Sequence, residues 1–128
     1  MTVQELITLG LSISRDSESK VFFLKLRGDY NRYLLETGRD DDLLIETEKT
    51  YDEALEISKG DLAETNLTRL ALELNYAAFL TEHLDNKEKA NSFLYEVLDK
   101  AVERMDRLQE IPSKESQAVM EIIKEKLE

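Results

Sequence analysis

The chain has 128 residues, enough for one modest domain with its own core and too few for two. Its 28 acidic against 17 basic residues give a formal charge of −11, which repels phosphate backbones and anionic headgroups and argues against nucleic-acid and membrane-surface binding. The absence of cysteine excludes a disulfide framework, a Cys-based zinc site and a thiol nucleophile. A single histidine, His83, leaves little room for a histidine metal site or a Ser-His-acid triad. No apolar run approaches membrane-span length, and no basic segment precedes an apolar core at the N-terminus. These features set the expectation of a soluble, cytoplasmic, all-helical protein.

Gly and Pro are too sparse for the regular turns of an all-β domain, and the apolar residues recur at helical spacing. A short first helix is expected from Thr2 to about Ile13, then a loop over Ser12 to Ser17. A second runs from about Glu18 to Thr37, with Phe22, Leu26, Tyr30, Tyr33 and Leu34 at steps of three and four as its apolar stripe. Val21 and Leu24 lie off that stripe, so this helix reads as packed between neighbours. Gly38 follows as a left-handed C′ residue, and Asp40-Asp41-Asp42 caps a third helix, about Asp42 to Ser58, which Gly60 closes. A fourth starts near Thr65 or Asn66 and reaches His83. Leu67, Leu70, Ala71, Leu74, Ala78 and Glu82 lie on one face, and Leu72, Tyr76, Phe79 and Leu80 around the other side. Asp85 with Glu88 forms a capping box for a fifth helix, about Asn86 to Leu108, with Ala90, Leu94, Val97, Ala101 and Leu108 inward. Pro112 interrupts, Ser113 caps, and a last helix carries Val119, Ile122, Ile123 and Leu127. Short connections between such helices imply an all-α antiparallel array of five to six helices, residues 1–128 forming a single helical domain. A helix-pair solenoid is the competing architecture, since it gives the same period.

No catalytic constellation emerges. Asp40-Asp41-Asp42 lacks the alternating spacing that wraps oxygens around calcium and reads as a cap, while a lone His83 suits a helix C-terminus. No Gly-rich phosphate loop and no nucleophile–base motif is present, so an enzyme, a metal site and a cofactor are not expected. The second helix stands apart. Lys25 and Arg32 are seven residues apart and project from nearly one line, with Gly28 and Asp29 between them and Tyr33 adjacent. A guanidinium forks onto two phosphate oxygens and a phenol donates a further bond, so this face suits an anion. The alternative is an intrahelical pair of Arg32 with Asp29 or Glu36. Gly28 points to close helix approach or to room for a ligand. On the fourth helix, the amide of Asn75 can hold an extended peptide backbone by its donor and acceptor together, or merely face solvent.

The segment Glu18-Ser-Lys-Val-Phe-Phe-Leu-Lys-Leu-Arg-Gly-Asp-Tyr-Asn-Arg-Tyr-Leu34 resembles the signature helix of the 14-3-3 family nearly residue for residue. Tyr51-Asp-Glu-Ala-Leu-Glu-Ile-Ser-Lys59, Arg69-Leu-Ala-Leu-Glu-Leu-Asn-Tyr-Ala-Ala-Phe79, Lys87-Glu-Lys-Ala90 and Leu98-Asp-Lys-Ala101 match in the same order. The resemblance covers the chain from about Val3 and is to the family's C-terminal half. It implies a non-catalytic adaptor that binds phosphoserine or phosphothreonine segments of client proteins. By position, Arg32 and Tyr33 match the phosphate-contacting pair, Lys25 a groove lysine, and Asn75 the groove asparagine. Leu74, Ala78 and Ile122 match apolar wall positions, Glu82 a groove acid, and Lys126 a place where the family usually has Asn. The resemblance further implies that the family's first helices are missing except for a remnant at about Thr2–Ile13, so the chain reads as a partial or truncated form. An uncovered apolar edge of that kind implies self-association, and the alternative role is a helical scaffold or oligomerisation module with a vestigial groove.

Overall fold

A computed structural model describes all 128 residues as six α-helices and no strand. They are α1 (Val3–Ile13), α2 (Ser17–Leu35), α3 (Asp41–Asp61), α4 (Leu67–Glu82), α5 (Lys87–Leu108) and α6 (Lys114–Leu127). No helix is long and apolar enough to cross a membrane. The helices form two compact units, Met1–Leu62 and Ala63–Glu128.

In the first unit α2 packs against both α1 and α3. Each helix start is fixed by a side-chain oxygen that accepts an otherwise orphaned backbone N–H. Thr2 and Glu5 form a capping box on α1, Asp16 accepts from Ser19 N, and Asp40 accepts from Leu43 N. Asp40 is therefore a cap, with Asp41 and Asp42 in the favourable first turn.

The buried line of α2 is Val21, Leu24, Gly28, Asn31 and Leu35. This corrects the sequence-based stripe: Phe22 and Tyr33 are exposed, and Leu26, Tyr30 and Leu34 are only half-buried. Two helical glycines explain how the inner line packs. A Cβ on Gly28 would meet the ring of Tyr51 from α3, and a Cβ on Gly10 of α1 would meet the ring of Phe23 from α2. Close approach, not room for a ligand, is what Gly28 provides. The Asn31 carbonyl oxygen accepts from Gln4 Nε2 at 3.0 Å, which ties α2 to α1. Buried hydroxyls on α3 are satisfied locally: Thr47, Thr50 and Ser58 donate to carbonyls three or four residues earlier.

Helix α3 runs through Gly60 to Asp61 and ends at an extended Leu62, so Gly60 is not its stop. Nor is Gly38 a left-handed C′ residue, for its φ is 157°; α2 ends instead in a tightened turn, with Thr37 N donating to Leu34 O.

In the second unit α4, α5 and α6 pack pairwise. Leu70, Leu72, Tyr76, Ala77, Phe79 and Leu80 are buried on α4, and Ala90, Leu94, Val97 and Ala101 on α5. The α5 face matches the sequence expectation except at Leu108, which is exposed. Asn66, Asn86 and Ser113 cap the three helices. Asn86, not Asp85, caps α5; Asp85 takes a left-handed conformation with φ 49°, which turns the chain so that Asn86 N reaches Leu80 O. At the other end of α5 a left-handed Gln109 turns the chain. Glu110 then accepts from both Thr65 and Arg104, fastening the α5–α6 loop to the start of the unit. The Thr65 hydroxyl bond, then the Arg104 bond, holds the Glu110 carboxyl below its usual range.

Candidate functional site

The sequence-selected residues fall into one group on each unit. On the first unit, Lys25, Asp29 and Arg32 occupy successive turns of α2, with Tyr33 beside Arg32. Lys25 Nζ lies 2.8 Å from Asp29 Oδ2, an i,i+4 ion pair whose side chains are both largely buried. The second oxygen, Asp29 Oδ1, accepts from the Tyr51 hydroxyl at 2.6 Å. Lys25 is thus held by a carboxylate that is itself anchored to α3. Arg32 is half-buried, and Tyr33 is 63% exposed and stacked on Tyr30 with ring centroids 6.5 Å apart. A half-buried guanidinium next to an exposed phenol is an arrangement that can take an anion by paired N–H and O–H donors. Sequence reasoning missed the role of Tyr51; nothing in the sequence links it to Asp29, 22 residues earlier.

On the second unit, Leu74, Asn75 and Ala78 are half-buried along α4, and Glu82 is exposed two turns after Asn75. On α6 Ile122 is 43% exposed and Lys126 exposed. The fold gathers Ala78, Glu82 and Lys126 into one open depression, together with Lys87 and Asn91 of α5. Leu74, Asn75 and Ile122 lie outside its lining. Elsewhere on α4, Arg69 and Glu73 form an i,i+4 pair that is nearly fully buried. Burial pushes the Glu73 carboxyl up to about 7 against the opposing pull of Arg69, and its Oε1 has no hydrogen-bond partner. An opposite-charge pair four apart, set among the apolar residues Leu70-Ala71-Leu72 and Leu74, was the available signal. His83 packs on the Phe79 ring at a centroid distance of 6.0 Å, with Nε2 4.0 Å from Glu82 Oε2.

A family model described as 14-3-3 protein matches residues 2–128. The chain belongs to the 14-3-3 family. This 14-3-3 chain is 39% identical over 113 residues to 14-3-3 protein beta/alpha-A of Xenopus laevis, an alignment covering 86% of this chain and 46% of that protein. Similarity to 14-3-3 protein beta/alpha of Homo sapiens has the same extent, and that of Rattus norvegicus is 39% identical over 114 residues, 87% of this chain and 46% of the relative. The chain therefore spans about half the length of these relatives. An all-α helical array is the architecture that both the sequence and the 14-3-3 match lead to.

Proposed function

We propose that this 14-3-3 chain is a non-catalytic adaptor that binds phosphoserine- or phosphothreonine-containing segments of client proteins. Arg32 and Tyr33 take the phosphate, with Lys25 adding positive charge, and Asn75 holds the segment's backbone. Leu74, Ala78 and Ile122 face its side chains, while Glu82 and Lys126 carry charge at the end of that surface. The observation that carries this reading is the half-buried Arg32 beside an exposed Tyr33 on α2, a local cationic feature in a chain of charge −11. A cytoplasmic location fits kinase-modified clients, and cell fractionation tests it.

Fluorescence anisotropy with paired phosphorylated and unphosphorylated peptides tests the function. Phosphate-dependent binding is expected, with Arg32→Ala weakening it about tenfold or more, the size of a lost charge-assisted hydrogen bond. Binding that ignores the phosphate, or survives Arg32→Ala unchanged, removes the adaptor reading.

A second reading, self-association as a helical scaffold, is favoured by α1. Leu6, Leu9 and Ile13 of that helix are exposed on one side, an apolar surface that a second copy of the chain can cover.

A further inference from the structure

The second unit has an open depression of about 170 Å³ where the end of α4, the first turns of α5 and the end of α6 meet. Its apolar lining comes from the small side chains of Ala77, Ala78 and Ala90 together with Leu94. Its polar part is Glu82 from α4, Lys87 and the Asn91 amide from α5, and Lys126 from α6. Two lysines and one glutamate thus line it, against the trend of a chain with charge −11. Neither lysine has a carboxylate within ion-pair distance, while Glu82 Oε2 lies 4.0 Å from His83 Nε2. Ala78 and Glu82 stand one and two turns beyond Asn75, so the depression continues the α4 face on which Asn75 lies.

We infer that this depression receives the side-chain carboxylate of an acidic residue in the bound segment, held by Lys87 and Lys126. The inference rests on the phosphopeptide reading and adds a sequence preference to it. A basic residue in the same place meets two like charges and one opposite charge, so it is disfavoured; a neutral amide gains only the Asn91 contact.

The test uses the full chain and phosphoserine peptides that differ at one flanking position, carrying Glu, Gln or Arg, with each flanking position scanned in turn. At one position Glu is expected to bind about three- to tenfold more tightly than Gln, the size of one or two exposed ion pairs, and Arg more weakly than Gln. The preference shrinks as salt is raised. It disappears in Lys87→Gln/Lys126→Gln, whatever affinity that variant has for the Gln peptide, and it widens in Glu82→Gln. Equal binding of Glu and Gln peptides at every position overturns the inference, as does a preference that survives the double variant. An NMR titration with unphosphorylated Glu and Gln peptides separates this from failure of the phosphate reading. Amide shifts at Ala78, Asn91 and Lys126 with the Glu peptide alone support the carboxylate site even if phosphate plays no part; no such shifts with either peptide overturn it.

Discussion

A Cβ placed on Gly28 would lie 2.7 Å from Cε1 of Tyr51, a separation that real Cβ atoms do not tolerate. Tyr51 is fully buried, so its ring cannot swing away into solvent. Gly28→Ala gains about 1 kcal/mol of helix propensity but forces α2 and α3 apart, an overpacking cost of about 1–3 kcal/mol or more. The net result expected is lower stability. Gly60→Ala is the opposite case: it lies inside α3 with nothing within 4 Å of its Cβ position, so it should stabilise by about 0.5–1 kcal/mol. Urea unfolding of the two variants should move the midpoint in opposite directions. Equal shifts contradict the packing account.

The Tyr51 hydroxyl offers a second test. Tyr51→Phe keeps the ring against Gly28 and removes the bond to Asp29, leaving one carboxylate oxygen without that donor. A loss of about 1–2 kcal/mol is expected. Because Asp29 also holds Lys25, the same variant should loosen Lys25, which NMR of its side-chain ammonium reports as faster motion with the fold intact. A Lys25 signal unchanged from wild type means that Asp29 is fixed without Tyr51.

Glu73 gives the chain a pH dependence of unusual sign for a carboxylate. Its folded-state value of about 7 lies above the 4.5 of an unburied Glu, chiefly through burial, with Arg69 opposing, Glu64 adding to the rise and Lys100 opposing it. Below about 4.5 both states hold the proton. Between 4.5 and about 7 the folded state keeps a proton that the unfolded state has lost, so stability falls as pH rises through this window. The effect is on the order of 3 kcal/mol at its upper limit. Glu73→Gln should remove this slope and make the variant relatively more stable at pH 8 than at pH 5. Denaturation curves for both proteins at the two values check it, and parallel pH profiles exclude the assignment.

Sedimentation velocity addresses the exposed face of α1. Self-association through Leu6, Leu9 and Ile13 predicts a sedimentation coefficient that rises with concentration, and a Leu6→Ser/Leu9→Ser variant that stays monomeric. A compact monomer at high concentration for the unaltered chain ends the scaffold reading.

Helix positions and two of the caps were legible because they depend on neighbours in sequence: Asp40 caps α3, Ser113 caps α6, and the Ala90, Leu94, Val97, Ala101 line of α5 is buried as its spacing implies. The inner face of α2 was not. Counting apolar side chains favours Phe22, Leu26, Tyr30 and Tyr33, whereas the buried line includes a glycine, which has no side chain to count, and Asn31. Asn31 Oδ1 is partnered by Gln4, 27 residues earlier, while its buried Nδ2 has no partner, so neither its bond nor its burial is visible to local pattern. The same holds for the cationic face of α2: Lys25 and Arg32 were evident from spacing, but the hydroxyl that anchors Asp29 comes from α3. At Asp85-Asn86 two acceptable caps stood side by side, and the left-handed turn at Asp85 decided between them.

The two glycine seats of the first unit also act as a vernier. Phe23 of α2 sits over Gly10, and five residues on, Gly28 of the same helix admits Tyr51. Sliding α2 by one turn along its axis would displace both rings from their notches together, so its height relative to α1 and α3 is set at two points. Arg32 follows Gly28 by one turn, and its guanidinium is therefore placed along the helix axis by aromatic rings that never need to touch it.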